Sequence, residues 1–595
     1  MLKEYLSMRR VHTRKSISFA LIAFTVVASF AIVGLYGGVS HAASAASNSP
    51  KATQNNNPLC SELGTKIQGS AGMQAWCFGA QQNGPTNNAP TSSNPSFGSN
   101  VDAANPHEDI SPAGVQAYGQ SEESVAGIGQ YVVEAWNDAT SFFTTCPSAE
   151  NKEEGTGYGF SANGGKSFVD EGGLTNANCS ADIFQGDPSV ETWQAGGSTY
   201  FYISSLFNSP TGEGPSYIAF DACKASGSGS SATISCSQPI IAGASTQCET
   251  SGGFTFCSFL DKDFLSIDPK RGRLYVSYTE FGFSGNLSFG QVELAVCDIG
   301  TRSGGTGPLG GTAGAPVCEP GSAASTTGSP YFVVAPGPSC ENEGAYPAVN
   351  VANGDVYVAY EFNWATNFEY APCASVPTQN VVSRIPFSCL TLTATSPCAG
   401  PSNSVSVKVI SMDAAFIPGY NRFPMNDFPR IAVSDKAGTV SIVWNDARLH
   451  PYGDILLQSY NLGSLSKVQS SPLRVNSSTS GWHMLPAMRN ADTEGHISIS
   501  FYGRPSANNA ITNVYAATGV DPRTTSTPSN VLVTTGSSNW NAVSSDIVPN
   551  FGDYTDNYYI ATKGAPYVGD NLFVAWADGR LGDPQPFNQV ITDAI

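Results

Sequence analysis

The sequence predicts an all-β protein: a β-propeller of four-stranded blades, seven in number, with six as the open alternative. Three observations carry this. A strand–turn–strand unit recurs from about residue 106 onward. The composition, with 61 glycines, 38 prolines, 11% aromatic and only 13% charged residues, suits many short strands joined by turns better than helices. The second strand of each unit alternates with period two: in LYVSYTE, Leu274, Val276 and Tyr278 share one face, and in VYVAYEF, Val356, Val358 and Tyr360 do the same.

The copies span 122–138, 186–207, 262–280, 345–362, 427–448, 485–504 and 552–580. They lie roughly 57 to 83 residues apart, which leaves room for two further strands in each. Such a unit cannot bury both faces alone, so the units must stack around an axis. The chain ends soon after the second strand of the last copy. An N-terminal strand is therefore expected to close the last blade, and the segment around 111–119, SPAGVQAYG, is the natural donor.

Ahead of the repeats, residues 1–15 carry Lys3, Arg9, Arg10, Arg14 and Lys15 against Glu4, an apolar run follows at 18–39, and Ala43-Ser44-Ala45 offers a cleavage site. Residues 1–45 thus read as a signal peptide, with an uncleaved membrane anchor as the alternative. Residues 46–105, rich in Asn, Ser, Pro, Gln and Ala, read as a low-complexity linker with one small disulfide loop, and 106–595 as the propeller. Removal of the leader takes the net charge from −19 to about −23. No arginine occurs between Arg14 and Arg271, so the basic stripe of a nucleic-acid binder is missing. A monomer outside the cytoplasm is expected.

Fourteen cysteines lie between Cys60 and Cys398, none closer than nine residues to the next, which excludes zinc-knuckle spacing and fits disulfides in an exported chain. Neighbour pairing gives Cys60–Cys77, Cys146–Cys179, Cys223–Cys236, Cys248–Cys257, Cys297–Cys318, Cys340–Cys373 and Cys389–Cys398. Of these, 223–236, 297–318 and 389–398 read as equivalent bridges across hairpins. No cofactor motif and no metal-ligand spacing occurs among the six histidines. Sequons stand at Asn178, Asn286 and Asn476.

The stretch FSANGGKSF (160–168) is a tight-turn signal, since Asn-Gly-Gly supplies the positive φ that such turns need. It resembles the Asp box of sialidase-like propellers, the bacterial neuraminidase repeat Ser-x-Asp-x-Gly-x-Thr-Trp. Ser161, Gly165, Ser167 and Phe168 match or substitute conservatively, and Asn163 replaces the Asp. Fainter traces stand at Ser459–Gly463 and Asp298–Gly300. The resemblance covers about 106–595 and implies a peripheral, structural role for the box.

For an active sialidase the resemblance implies three arginines on a sugar carboxylate, a Tyr–Glu nucleophile pair and an Asp acid/base. The first arginine belongs to an Arg-Ile-Pro motif ahead of the first box. Here that region has no arginine, and Arg384-Ile385-Pro386 lies mid-chain. The remaining candidates are Arg448, Arg504 and Arg580 at second-strand ends, two of them preceded by Asp446 and Asp578 and so open to local pairing. Acids at first-strand starts, Glu122, Asp187, Asp263, Asp427 and Asp553, should ring one channel mouth. There they would bind sugar hydroxyls or a structural cation such as calcium, or else cap their own turns. Asp553 and Tyr554 are the candidate acid and nucleophile. Trp136, Trp364, Trp444 and Trp576 read as blade core or as a sugar platform. The function expected is recognition of an extracellular glycan or another surface polymer, with a sialidase-type hydrolase as the alternative.

Overall fold

The computed structural model describes Cys60, Met73, Cys77 and residues 100–592, apart from 108, 110–116, 141–154, 210–211, 213, 252, 285–286, 320–329, 337–341, 364–375, 394–395, 413–416, 423–424 and 562–568. The segment 1–45, read from sequence as a leader, and Trp364 therefore lie outside the described residues.

Among the described residues, seven of the eight antiparallel sheets are blades that follow one another along the chain and step from an inner strand outward, and the eighth is the two-stranded hairpin of Cys248–Ser251 and Phe254–Cys257. Blade one is Gln120–Ile128, Tyr131–Asp138, Thr156–Ser161 and Val169–Gly173. Blades two to six begin at Ser189–Ala195, Phe259–Asp268, Asn342–Val349, Arg430–Ser434 and His483–Ala487. Blade seven is Asp556–Tyr559, Leu572–Asp578, Gln585–Ile591 and, from the other end of the chain, Val101–Asp102. The fold is thus a seven-bladed, all-β propeller of mostly four-stranded blades, closed by an N-terminal strand.

That closing strand is not the expected 111–119 segment. Val101 pairs opposite Asn588, inside the stretch read as linker. Gly119 leads straight into the inner strand of blade one at the axis, whereas the open edge of blade seven lies at the periphery. Asn100 secures the closure: its carboxamide donates to Val533 O at 3.1 Å, and its Oδ1 accepts from Thr535 N at 2.6 Å.

The alternating second strands fill the blade interfaces. Leu274, Val276 and Tyr278 are buried, as are Val356, Val358 and Tyr360. Trp136, Trp444 and Trp576 are core residues. Blades five and seven share a brace that starts from this core. The indoles of Trp444 and Trp576 donate to Asp446 Oδ2 (2.9 Å) and Asp578 Oδ2 (2.8 Å), and the same carboxylates hold Arg448 and Arg580 (2.7 and 2.5 Å).

Five expected disulfides are present: 60–77, 223–236, 248–257, 297–318 and 389–398. Cys223 faces Cys236, and Cys297 faces Cys318, across the third and outer strands of blades two and three. Cys389–Cys398 is not their equivalent. Pro386 ends the third strand of blade four, Cys389 sits in a short 3-10 turn, and the bridge staples the loop that follows. Cys179 is disulfide-bonded; its expected partner Cys146, and the pair Cys340–Cys373, lie outside the described residues. Cys60, Met73 and Cys77 belong to one buried cluster with residues of blades two and three, Trp193 and Tyr202 among them.

The 160–168 turn is bonded to itself. Ser161 Oγ accepts from Gly165 N at 2.9 Å, and Asn163 Oδ1 accepts from Lys166 N and Ser167 N at 3.0 and 3.1 Å. Gly165 has φ +82°, and a Cβ there would stand 2.3 Å from Phe573. Phe168 packs edge-on to the same ring.

Candidate functional site

Inner strands start at one mouth of the central channel, and the ends of the second strands return there. At this mouth the inner strands carry a repeated irregularity. Glu122, Asp187, Lys262 and Leu485 have φ near +50 to +60°, and Gly344 and Gly552 take the same conformation in blades four and seven. Ladder register slips at these points in blades one, three, four and six. Such bulges re-aim side chains. Here they bring Glu122, Asp187 and Lys262 together. Gly552 is required beside them, because a Cβ would lie 2.4 Å from Glu122.

Lys262 Nζ stands 2.8 Å from Asp553 Oδ2, 3.4 Å from Glu122 Oε1 and 3.5 Å from Asp187 Oδ2, with all four side chains fully buried. Arg422 adds a second cation, 3.1 Å from Asp553. Asn137 donates to Glu122 at 3.0 Å, and its oxygen accepts from the Asp187 N–H. Burial pushes the Glu122 and Asp187 carboxyls upward, against the pull of Lys262. Three carboxyls thus face two cations at this mouth.

The other two acids of the expected ring turn sideways. Ser204 donates to Asp263, whose carboxyl burial raises to about 8. Asn445 donates to Asp427. Tyr554 is buried, with its hydroxyl donating to Pro188 O at 3.2 Å and its ring within 5.3 Å of Lys262 and 5.2 Å of Arg430. Burial also raises the Tyr554 phenol well above its ordinary value, which opposes formation of a phenolate nucleophile. At the place where the sequence left room for sugar hydroxyls or a structural cation, the ammonium of Lys262 sits.

The rim arginines are engaged. Arg448 and Arg580 hold their own Asp446 and Asp578, the local pairing weighed from sequence. Arg504 lies over Trp540 and donates to Thr512 Oγ1 (2.9 Å) and Pro418 O (2.7 Å). Arg384 binds Asp355 within blade four. Of the sequons, Asn178 is exposed; Asn476 is buried, bonded to Asp454 and Ile455 N; and Asn286 lies outside the described residues.

Sequence reasoning missed the basic half of the axis. Lys262, Arg422, Arg430 and Arg489 lie within or beside inner strands, where apolar neighbours mask them. Arg430 is stacked by Tyr346, Phe264 and Tyr554. Arg489 of blade six crosses to blades one, two and seven. Its Nη1 is 2.6 Å from Asp556 and donates to Ser124 Oγ at 3.1 Å, and its Nη2 is 3.4 Å from Glu191. It lines a cleft of about 320 Å³ at the opposite mouth, formed by the ends of inner strands. Among the described residues no cluster of His, Cys, Asp and Glu is arranged to hold a metal.

No protein-family model matches the chain, and no curated protein matches it by sequence. Among solved structures it is similar to a Hadza microbial sialidase, at 12% identity over 73% of each chain and a TM-score of 0.34. It is also similar to the Trypanosoma rangeli sialidase in complex with the inhibitor DANA, at 9% identity over 80% of this chain and 72% of that one, TM-score 0.34. An α-L-arabinofuranosidase from Lactobacillus brevis matches at 10% identity over 58% of this chain and 90% of its own, TM-score 0.27. The blade count and closure rest on this chain's own strand pairing.

Proposed function

We propose that the chain is an extracytoplasmic recognition propeller that binds a glycan or another surface polymer without turning it over. The observation that carries this reading is the Lys262 cluster: at the mouth where sequence placed a ring of acids, the charges face one another and are fully buried. Groups buried in this way, with their charges already paired, lack the access to clamp an anionic sugar or attack it. The leader at 1–45 and the disulfides support export. A monomer remains the expected state.

The contact surface is the rim of the same mouth. Tyr452, in the turn between second and third strands of blade five, is 40% exposed and rests edge-on against Trp482 at 5.2 Å. A tyrosine held by a buried indole offers a rigid apolar face with a polar tip, suited to a sugar ring. The competing reading, a sialidase-type hydrolase, draws on Arg422 and Arg430 lying beside Asp553 and Tyr554.

A glycan array probed with the purified secreted protein tests binding. The expected result is a restricted set of bound glycans, weakened about five- to tenfold by Tyr452→Ala. An array without signal would remove the glycan from the reading, and unchanged binding by Tyr452→Ala would remove the rim.

A further inference from the structure

The cleft at the opposite mouth combines three features that together define a ligand. Its wall is apolar where inner strands end, with Pro347, Val349 and Val433 contributing. Its floor is polar and internally compensated: Arg489 lies between Glu191 and Asp556, and Tyr558 Oη donates to Glu191 Oε2 at 3.4 Å. One donor is left over. The Nε–H of Arg489 has no hydrogen-bond partner although the side chain is only 3% exposed. A buried unpaired donor of a charged group is costly, so an acceptor arriving there gains more than a surface hydrogen bond would.

The charge balance narrows the ligand. Both terminal nitrogens of Arg489 are already bonded, and the lining acids Glu191, Asp435 and Asp492 outnumber the lining cations Lys436 and Arg489, so a carboxylate ligand would meet net negative charge. A neutral group is favoured, with an acceptor for Arg489, a donor for the Glu191 carboxylate and an apolar face for the wall. A secondary amide carrying a methyl has all three. A volume of about 320 Å³ lies at the low end of ligand pockets, the size for one ring and not for an extended peptide.

We propose that this cleft binds a single neutral N-acetylated sugar residue, its amide carbonyl on Arg489 Nε, its amide N–H toward Glu191 and its methyl against Val433. The inference rests on the reading of the chain as a glycan binder, but it concerns the mouth away from the Tyr452 rim.

The test is titration of the intact secreted protein with methyl N-acetyl-β-glucosaminide, methyl β-glucoside and N-acetylneuraminic acid, followed by calorimetry or ligand-observed NMR. The acetylated glycoside should bind, the plain glucoside about tenfold or more weakly for want of the amide pair, and the acidic sugar more weakly than the neutral acetylated one. Val433→Trp fills the cleft from blade five and should abolish binding, and Val351→Trp does the same from the blade four side should the first variant fail to fold. Equal binding of the two glycosides, absence of binding by the acetylated one, tighter binding of the acidic sugar, or binding that survives a folded blocking variant would each overturn the proposal. Array binding that Tyr452→Ala weakens, together with a titration in which the acetylated glycoside does not bind, would sink this inference alone, whereas an empty array would sink the broader reading while this titration still decides the cleft.

Discussion

Lys262→Met removes a positive charge and keeps an unbranched stem of similar length. In the native protein the ammonium contacts Asp553, Glu122 and Asp187 at 2.8, 3.4 and 3.5 Å, with every partner fully buried. Breaking a buried charge pair from one side leaves the other side uncompensated, at a typical cost of ~3–5 kcal/mol. Unfolding entropy of about 2.1 cal/mol/K per residue over roughly 490 residues gives ~1 kcal/mol/K, so the melting temperature should fall by ~3–5 °C. The control is Lys436→Met: Lys436 pairs with Glu494 at 2.6 Å with both side chains 56% exposed, and surface pairs of that kind contribute little. The deficit of Lys262→Met should shrink toward pH 4, where the stranded carboxyls take up protons, and Glu122→Gln should partly restore stability in the double variant. Differential scanning calorimetry at pH 7.5 and pH 4.5 measures both. A Lys262→Met melting temperature within about 1 °C of the parent at pH 7.5 would refute the claim that this cluster locks the mouth.

Stability of the parent should itself depend on pH in an unusual direction. Burial raises Asp263 to about 8, Asp546 to about 7 and Asp583 to about 6, above the ordinary carboxylate value. Between the unfolded and folded values the native state binds more protons than the unfolded chain, so stability falls as pH rises through that window. Melting temperatures should therefore be higher near pH 5 than near pH 8; the opposite trend would contradict the assignment. Replacing Cys297 and Cys318 by Ser opens a 21-residue loop and should cost about 3 kcal/mol, read as a lowered denaturation midpoint. Gly165→Ala places a Cβ at φ +82° within 2.3 Å of Phe573 and should destabilise by more than ~1 kcal/mol; an unchanged midpoint would show that the turn relaxes freely.

The blades were legible because their signal is local. Period-two alternation such as Val356, Val358 and Tyr360, followed by a polar strand end, is written into each copy and survives without knowledge of the neighbours. The closing strand was not legible, since Val101–Asp102 is two residues long and its pairing depends on an edge more than 480 residues away. The acid ring was half legible. Glu122, Asp187 and Asp553 do converge, because inner strands start at the same end in every blade. Their counter-ions come from Lys262 in another blade and Arg422 ahead of blade five, and no spacing rule links positions that meet only at the axis. The same holds for Arg489, which reaches Ser124, Glu191 and Asp556 in three other blades. Asp446–Arg448 and Asp578–Arg580 were readable because an i, i+2 carboxylate and guanidinium can meet without help from the rest of the fold.

The central claim is that the mouth around Lys262 is a neutralised structural lock and not a hydrolytic centre. Hydrolysis of a fluorogenic sialoside by the purified protein, followed from pH 3 to 8 alongside Tyr554→Phe and Arg580→Ala, tests it most directly. The account predicts no turnover above background at any pH and no difference among the three proteins. Turnover well above background that disappears in Tyr554→Phe or Arg580→Ala would contradict it.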